Sequence, residues 1–350
     1  MPAQVVEAGS LLRELRDVWS DLARQEGQTG VLRACAMTLI VIASERDDPQ
    51  QLGATLAGLM HEHPSRFILL HVSQSEERKL EGRVLVQCWM PFGRRQQICC
   101  EQIEVEASRG ALGDSASLLL GLLVPDLPVA LWCRVPELLP EAALKPVLSL
   151  AGRIIIDGAR MSSPRQLLTH IVALRKGGAI VADLAWTRIT RWREVLYRAF
   201  LDGGCAANPS RLESITVEYA GETPSITVCW LVAWLISNCG WKREGAGWTA
   251  AGNARHLSLV STGEPVTPTT VGRIRRVRLT GPELDVRIER PEGFNATLSW
   301  NGLQSLVLFP RQSEEMLLRE ELAIFGRDRH FEAAIPLLLD LLGWIEETIP

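Results

Sequence analysis

The stretch ACAMTLIVIASERDDPQQLGATLAGLMHEHPSRFILLHVS, residues 34–73, decides the fold of this chain. It contains two continuous apolar runs of strand length, 34–44 and 65–73, separated by apolar residues at helical spacing that end at Pro64. A strand that is apolar without alternation is typical of a sheet covered on both faces. The stretch therefore predicts a β-α-β unit whose two strands run parallel.

The alternation of strands and helices continues to about residue 160. The patterns that follow are a hairpin turned at Pro91, Phe92 and Gly93, a helix at 113–124, a strand at 129–135, a helix at 140–151 and a short strand at 153–160. Such alternation indicates helices packed on a mixed sheet. We predict an N-terminal helix over 1–30, followed by an N-terminal mixed α/β sandwich over 31–160.

The second half of the chain has a different order of helical and strand patterns. Helical patterns fall near 164–175, 190–201, 224–238, 313–325 and 331–347, with a strand at 214–220. From residue 273 apolar residues alternate with charged ones as far as Trp300, which indicates an antiparallel meander with one face in water. We predict a C-terminal α+β domain over 161–350 that contains this meander, so that the whole chain is of the α/β class with two domains.

The composition excludes several function classes. The 350 residues carry a formal charge of −4, whereas a phosphate-binding surface usually gives a basic excess, so we expect no nucleic-acid partner. No run approaches the roughly 18 to 20 apolar residues of a membrane span, and the first residues lack a signal-peptide pattern. We therefore expect a cytoplasmic protein with no membrane partner.

The eight cysteines lie mostly in apolar runs and form no C-x-x-C, which predicts reduced core thiols and no zinc site. Cys99 and Cys100 are neighbours on a predicted strand, where side chains point to opposite faces, so we predict a packed pair of free thiols.

Motifs that announce catalysis are missing from the sequence. It contains neither G-x-G-x-x-G nor G-x-x-x-x-G-K-[ST], and neither G-x-S-x-G nor H-E-x-x-H. We predict no catalytic residue, no cofactor and no metal. One alternative stays open, in which the chain is a sugar-phosphate sensor or enzyme with His63, Arg66, Asp126 and Asp157 converging on one pocket.

Several segments together resemble one family. RACAMTLIVIA, HPSRFILL, CCEQI, LLVPDLPVALWCR, IIIDGAR and DLAWTRITRWRE occur in the order typical of OpcA, the glucose-6-phosphate dehydrogenase assembly protein of bacteria. The resemblance covers roughly residues 32–200. The matching motif positions are His63, Pro64, Ser65, Arg66, Cys99, Cys100, Glu101, Gln102, Pro125, Asp126, Pro128, Trp132, Asp157, Asp183, Trp186, Arg188, Thr190, Trp192, Arg193 and Glu194.

The resemblance implies a non-catalytic protein that binds glucose-6-phosphate dehydrogenase and promotes its active oligomer. That activity would support the oxidative pentose phosphate pathway and its NADPH output. Arg191 departs from the family, which often has proline there. Proline at the first helical position only fixes the backbone angle φ at a helical value in advance. Its absence should therefore make the first turn of the helix less rigid without preventing the helix from starting there.

The segment DLAWTRITRWREVLYRAF, residues 183–200, gives the candidate partner-binding residues. Thr190 is the predicted N-cap of a helix whose apolar stripe is core. These stripe residues are Trp192, Val195, Leu196, Ala199 and Phe200. Trp186 precedes the cap in a predicted loop beside Arg188, free to face outward.

Since Trp and Arg are enriched at interface hot spots, we predict that Trp186, Arg188, Arg193 and Asp183 bind the partner. In the alternative, Trp186 is buried and Arg188 pairs with Asp183. The next surface to consider is then the face that carries Arg276, Arg278 and Arg287.

Overall fold

The computed structural model describes residues 6–25, 31–90, 97–202, 211–264, 273–282, 284–291 and 293–349. Contacts divide the chain into two compact units. The first unit comprises Met1–Asp157, His170–Ala182 and Glu314–Ala323, and the second comprises Gly158–Thr169, Asp183–Ser313 and Ile324–Pro350. The main division therefore follows Asp157, close to residue 160, whereas two segments from later in the chain belong with the first unit.

The first unit is built on an eight-stranded sheet. Its strands are β1 (Val31–Arg33), β2 (Met37–Ser44), β3 (Ser65–Ser73), β4 (Leu80–Trp89), β5 (Gln97–Ser108), β6 (Val129–Cys133), β7 (Arg153–Ile156) and β8 (Ile180–Asp183). The helices in this part of the chain are α1 (Ala8–Gln25), α2 (Pro49–Leu59), α3 (Leu112–Leu122), α4 (Lys145–Leu150) and α5 (Pro164–Lys176).

The strand order of this sheet is β1-β5-β3-β2-β6-β7-β8, and β4 pairs antiparallel with β5 as the predicted hairpin requires. Strands β1, β5, β3, β2, β6 and β7 run parallel. With β2 counted first and with β1 and β4 left out, the order is 3-2-1-4-5-6, which is that of the doubly wound dinucleotide-binding fold. The turn predicted at residues 91–93 lies outside the described residues.

The opening β-α-β unit forms as its sequence predicts. All residues from Thr38 to Ala43 in β2 are buried, and β2 pairs parallel with β3 from Met37 opposite Ser65 onward. Complete burial of an aliphatic side chain contributes about 1.5 to 3 kcal/mol, so this run dominates the local free energy of folding. Helix α2 begins at Pro49, because proline fits the first turn and Asp48 caps it.

The second unit has its own eight-stranded sheet and most of the later helices. These elements are α6 (Leu184–Thr187), α7 (Thr190–Asp202), β9 (Ser214–Tyr219), α8 (Ile226–Cys239), β10 (Lys242–Glu244), β11 (Gly247–Ala250), β12 (Asn253–Ser261), β13 (Ile274–Gly281), β14 (Leu284–Glu289), β15 (Asn295–Trp300), β16 (Leu303–Leu308) and α10 (Arg329–Thr348). The order of the strands is β10-β11-β12-β9-β13-β14-β15-β16. Strands β13 to β16 form the predicted antiparallel meander. Helix α9 (Glu314–Ala323) belongs to the first unit.

Helix α8 forms the centre of the second unit. It is apolar nearly all round, begins at the Ser225 cap and ends at Gly240, whose φ of 66° suits glycine. Burial in the protein core explains this apolar character. Of the helices that the structure describes, none combines the length and apolarity needed to cross a membrane.

One cysteine prediction is wrong. Cys99 forms a disulfide with Cys88, which lies directly opposite it in the β4–β5 pair. Directly opposed residues of antiparallel strands have Cβ atoms about 4.5 to 5.5 Å apart or closer, within reach of a disulfide. The sequence comparison of Cys99 with its neighbour Cys100 missed the cross-strand partner eleven residues away. Cys100 is buried and free.

Candidate functional site

The point at which the strand order reverses lies between β2 and β6, and doubly wound folds bind their nucleotides at the carboxyl ends of such strands. Here the chain leaves β2 through Ser44-Glu45-Arg46-Asp47-Asp48 and contains no glycine in this turn. Asp48 accepts a hydrogen bond of 2.8 Å from the backbone N–H of Gln50. The anion-binding end of α2 is therefore capped by a carboxylate of the protein itself.

A second carboxylate in this turn holds an arginine from β6. Arg134 follows β6 and donates to Asp47 Oδ1 from Nε at 2.9 Å and from Nη2 at 2.7 Å. Its Nη1 donates to Glu314 Oε2 of α9 at 2.7 Å. The guanidinium also lies 4.5 Å from the centre of the Trp132 ring. The crevice between β2 and β6 is thus filled by an ion-paired cluster that consists of Asp47, Arg134 and Glu314.

The electrostatics of this cluster are balanced. Arg134 is 9% exposed, and burial alone would lower its pKa. The charge of Glu314 and the hydrogen bonds to Asp47 outweigh burial, so the pKa of Arg134 lies above its ordinary value. A dinucleotide would place its pyrophosphate where Asp47 and Asp48 already stand, and like charges would repel it. The geometry opposes nucleotide binding at this point of the fold.

A cavity of about 340 Å³ opens beside the cluster at the same edge of the sheet. Its lining includes four carboxylates, from Glu45, Asp47, Glu104 and Glu106, against the two cations of Lys79 and Arg83. An acidic excess of this kind disfavours phosphate. This cavity therefore does not restore a nucleotide site.

The HPSR and CCEQI motifs meet through a buried ion pair. Arg66 Nε donates to Glu101 Oε2 at 2.7 Å, and Arg66 Nη1 donates to the carbonyl of Leu122 at 2.7 Å. Glu101 also accepts from Trp19 Nε1 at 2.8 Å and pairs with Arg33 at 2.6 Å. Removal of one member would leave another buried charge without its partner, so these motif residues act in folding.

The other residues of these two motifs make local contacts. The Ser65 hydroxyl donates to the carbonyl of His63 at 2.8 Å, and Gln102 accepts from the Gln87 side chain. Cys100 Sγ lies 3.5 Å from the carbonyl of Ala34. All of these contacts tie the start of β3 and the middle of β5 to their neighbours.

The four residues of the alternative sugar-phosphate pocket do not converge. Arg66 lies near the amino end of β3, whereas Asp157 follows the carboxyl end of β7, and the strands of this sheet run parallel. The two residues therefore occupy opposite edges of the sheet. Asp126 is exposed in a turn with a φ of 64°, and His63 lies in the turn before β3. The prediction of a common pocket for all four residues is wrong, because the length of the parallel strands separates Asp157 from the other three.

In the second unit, Asp183 organises the segment 183–200. Its buried carboxylate accepts from the backbone N–H of Ala185 at 2.9 Å, the backbone N–H of Gly158 at 2.7 Å and Trp230 Nε1 at 2.7 Å. A Cβ atom on Gly158 would lie 2.6 Å from Asp183 Oδ2, so this position requires glycine. Asp183 thus joins three segments of the second unit, and its carboxylate is not available to a partner.

Trp186 is 2% exposed, and the prediction that it faces outward is wrong. Residues 184–187 form one helical turn in place of a loop, and the ring packs edge-on against Trp230 and Phe331 at 5.7 and 5.4 Å. Its Nε1 donates to Asp328 Oδ2 at 2.8 Å. Arg193 Cζ lies 4.2 Å from the centre of the same ring. Trp186 and Arg193 therefore stabilise the interior of the second unit.

The rest of the segment follows the prediction in part. Trp192 is buried against Phe309 at 4.9 Å, as predicted for the core stripe. Thr190 is the first helical residue and not the N-cap, because the first helical hydrogen bond runs from the backbone N–H of Arg193 to the carbonyl of Ile189. The Thr190 hydroxyl does not cap the helix but accepts from Arg193 Nη2. Arg188 is half-buried.

The arginine face of the meander is also neutralised. Arg276 pairs with Glu218 at 2.6 Å and with Glu289 at 2.9 Å. Arg278 pairs with Asp285 at 3.1 Å, and Arg287 lies 3.7 Å from Glu289. Because each guanidinium has a carboxylate beside it, this face presents little net charge to a partner.

An apolar edge was not predicted from the sequence. Strand β16, LQSLVL, is the last strand of the second sheet, and among the described strands it pairs with β15 alone. Leu303, Leu306 and Leu308 are exposed, Leu306 to 73%, and the strand contains no charged residue. We call Leu303, Leu306 and Leu308 the β16 edge. Soluble proteins usually protect such an edge with charges or proline, so an exposed uncharged edge indicates a binding surface.

The fold and this geometry define a class of protein: a doubly wound α/β unit with a self-filled nucleotide crevice, joined in sequence to an α+β unit. Two family profiles match the chain, the glucose-6-phosphate dehydrogenase subunit N-terminal domain over residues 56–173 and its C-terminal domain over residues 179–335. The chain belongs to the OpcA family of glucose-6-phosphate dehydrogenase assembly proteins.

Relatives and solved structures agree with this assignment. The chain is 24% identical over 300 residues to a protein of Nostoc punctiforme, and 22% identical over 307 residues to one of Synechocystis, both provisionally described as OxPP cycle protein OpcA. These matches cover 78% and 80% of the chain but 64% of each relative, which is less than two thirds of its length. An NAD-binding oxidoreductase of Klebsiella pneumoniae shares the fold, with a TM-score of 0.50, 10% identity, and coverage of 90% of this chain and 97% of that one.

Proposed function

We propose that this protein is a non-catalytic assembly factor that binds glucose-6-phosphate dehydrogenase in the cytoplasm and promotes its active oligomer. The activity would support the oxidative pentose phosphate pathway and its NADPH output. The observation that carries the proposal is the crevice between β2 and β6, where Asp47, Arg134 and Glu314 take the place of a cofactor. On this proposal the protein has the fold of an oxidoreductase, but side chains of the protein occupy the position where a nucleotide would bind.

We further propose that the dehydrogenase contacts the β16 edge. Three exposed leucines on an edge strand offer apolar area together with outward-facing backbone donors and acceptors, of which the Leu308 carbonyl already accepts from Arg191. A partner strand added there would bury the leucines and satisfy the backbone groups at once. The candidates predicted from the sequence, Trp186 and Asp183, cannot serve because they are buried.

The first experiment tests the function itself. Purified chain is mixed with the dehydrogenase of the same organism at micromolar concentrations, and oligomer mass is followed by analytical ultracentrifugation together with dehydrogenase activity. We expect a shift to a larger species and a rise in activity. Independent sedimentation of the two proteins with unchanged activity would overturn the proposal.

The second experiment tests the surface. Leu306→Lys places a charge on the β16 edge and should weaken the complex by about 2 kcal/mol, or roughly thirtyfold. Leu339→Lys, an equally large change at an exposed leucine of α10, is the matched control and should leave affinity unchanged. Equal affinities for both variants and the unaltered chain would reject the β16 edge while leaving the function intact.

A further inference from the structure

An arginine of α7 closes one end of the β16 edge. Arg191 donates from Nε to the carbonyl of Leu308, the last residue of β16, at 2.9 Å. Its Nη1 donates to Glu194 Oε2 at 2.8 Å, and its guanidinium carbon lies 5.9 Å from the centre of the buried Phe309 ring. Arg290, which follows β14, has its guanidinium carbon 5.4 Å from the centre of the same ring. The three contacts of Arg191 hold its side chain across the end of β16.

The backbone groups of β16 alternate in direction along the strand. The Phe309 N–H donates to the carbonyl of Phe294, so Phe309 faces the preceding hairpin strand, and such pairs alternate in an antiparallel ladder. The backbone groups of Gln304, Leu306 and Leu308 therefore point away from β15, and the hydrogen bond from α7 to the Leu308 carbonyl agrees with this direction. Among the described residues, no hydrogen bond reaches the outward groups of Gln304 or Leu306.

An edge of this kind can pair with a second copy of itself. In an antiparallel two-fold arrangement centred on Leu306, the backbone groups of Gln304 meet those of Leu308 in the other copy. The side chains of Leu306 and Leu308 lie on the same face of the strand, so both copies would bury these leucines together. Exposed apolar edges associate in this way unless a charge, a proline or a cover prevents it.

Arg191 lies where that pairing would have to form. The Gln304 N–H of a second copy needs the Leu308 carbonyl, which already accepts from Arg191. Displacement would separate the guanidinium from this acceptor while the added strand removed it from water, and a buried charged donor without its partner is costly. A shorter segment that pairs only with Gln304 and Leu306 leaves the contacts of Arg191 intact.

We propose that Arg191 determines which strand can add to the β16 edge. It excludes a second copy of this chain and admits a short, apolar, extended segment of the dehydrogenase. That segment pairs with Gln304 and Leu306 and ends before Leu308. The identity of the admitted segment rests on the proposed function, whereas the exclusion of a second copy is a property of the isolated chain.

The first measurement is sedimentation of the isolated full chain at micromolar concentrations. Arg191→Met removes the charge and the hydrogen bond to Leu308 but keeps a long side chain beside Phe309. We expect this variant to form a concentration-dependent species of about twice the mass of the unaltered chain. Arg191→Lys keeps a charged donor and should sediment as the unaltered chain does.

A matched control separates the position of the charge from its loss. Arg198→Met removes an exposed arginine of the same helix and should leave sedimentation unchanged. Equal sedimentation of Arg191→Met and the unaltered chain would overturn the proposal. Association of Arg198→Met to the same extent would overturn it too, because any loss of positive charge would then suffice.

A second substitution identifies the surface that associates. Gln304→Pro removes an outward N–H donor, and proline is tolerated on an edge strand where that group makes no ladder bond. Combined with Arg191→Met, it should restore the mass of the unaltered chain. Gln304→Thr keeps the donor and should leave the association of Arg191→Met as it is. A dimer that persists with Gln304→Pro would lie on another surface, which would contradict the role assigned to Arg191.

The last measurement adds the dehydrogenase of the same organism. At dilutions where Arg191→Met does not self-associate, its affinity should equal that of the unaltered chain, because the segment ends before Leu308. Gln304→Pro alone should weaken the complex about tenfold, as expected for one lost hydrogen bond. Weaker binding by Arg191→Met would overturn the assigned end of the segment. A dehydrogenase that does not bind the unaltered chain would overturn the proposed function, while sedimentation of the isolated variants still decides whether Arg191 excludes a second copy.

Discussion

Arg134 in the first unit and Arg290 in the second are both withdrawn from solvent, yet their surroundings are opposite. Two carboxylates hold Arg134 and keep its pKa high, whereas burial, followed by the charges of Arg273, Arg275 and Arg311, lowers the pKa of Arg290. Burial of a charge is tolerated when its partners are also part of the fold. The two sites thus differ in whether the neighbouring charges named here stabilise or oppose the charge of the arginine.

The largest effect on stability should come from breaking the buried ion pair between Arg134 and Asp47. Arg134→Gln leaves Asp47 buried without its cation, and we expect a loss of about 3 to 5 kcal/mol in the free energy of unfolding. Urea denaturation measures the change. Arg278→Gln is the control, because Arg278 and Asp285 are about half-exposed and solvent screens their pair, so the free energy of unfolding should change far less. A loss of similar size in both variants would remove the distinction between a buried cluster and a surface pair.

Within the second unit, Trp186→Phe tests the hydrogen bond that Trp186 Nε1 donates to Asp328. The ring still packs on Trp230 and Phe331, but the donor to Asp328 is lost, which should cost about 1 to 3 kcal/mol. Thermal unfolding measures this cost. The folded variant should bind the dehydrogenase as before, since Trp186 is interior. Unchanged stability with weaker binding would restore Trp186 as an interface residue. Tyr197→Phe, at an exposed position on α7, should change stability by less than about 0.5 kcal/mol.

Arg290→Gln should act in the opposite direction from Arg134→Gln. The loss of a charge that is buried and repelled by its neighbours should stabilise the chain by about 1 kcal/mol. Because the pKa of Arg290 is lowered by folding, the destabilisation is fully present below about pH 10 and is relieved as the pH rises through that value. The advantage of the variant should therefore be constant near neutral pH and shrink above about pH 10. A variant less stable than the unaltered chain in urea denaturation would show that Arg290 is already compensated.

The buried thiols do not carry the cost of a buried charge that Arg290 carries, because a thiol can remain neutral. Burial raises the pKa of Cys100 to about 11 and the pKa values of Cys229 and Cys239 to about 12. At about pH 8 few of these groups are thiolates, so native labelling with a disulfide reagent should be slow. Cys35 is half-exposed and should react first, while Cys205 lies outside the described residues. Rapid labelling of five or more cysteines in the folded protein would contradict this expectation.

The sequence predicts the elements better than their partners. Strands β2 and β3 could be predicted because continuous apolar runs of eight or nine residues are typical of strands buried on both faces. Strand β8 was missed because its four residues, IVAD, form a weaker apolar run than the three consecutive isoleucines of the equally short β7. Strands β10 to β12 were missed because their alternation is weak. Short strands acquire their structure from the neighbouring ladder more than from their own sequence.

The candidate site was less predictable, for a physical reason. Arg134 finds Asp47 across 87 residues and Glu314 across 180, so no local pattern contains the cluster. The same holds for Trp186, whose burial depends on Asp328 and on rings in α8 and α10. A loop tryptophan beside arginines has the composition of an interface hot spot, and only its distant contacts distinguish it from a core residue. Arg290 was hidden in the same way among the outward-facing arginines of the meander.

Helix α9 has a consequence for synthesis of the chain on the ribosome. It supplies Glu314 to Arg134 and Glu321 to Arg153, so two largely buried guanidinium groups of the first unit receive carboxylates that lie 180 and 168 residues further along the chain. Most of the first unit emerges some 150 residues earlier, when Arg134 can already pair with Asp47 but neither arginine has yet its carboxylate from α9. The N-terminal unit is therefore finished late, and a nascent chain released before residue 323 would leave it with two arginines that no carboxylate of α9 can reach.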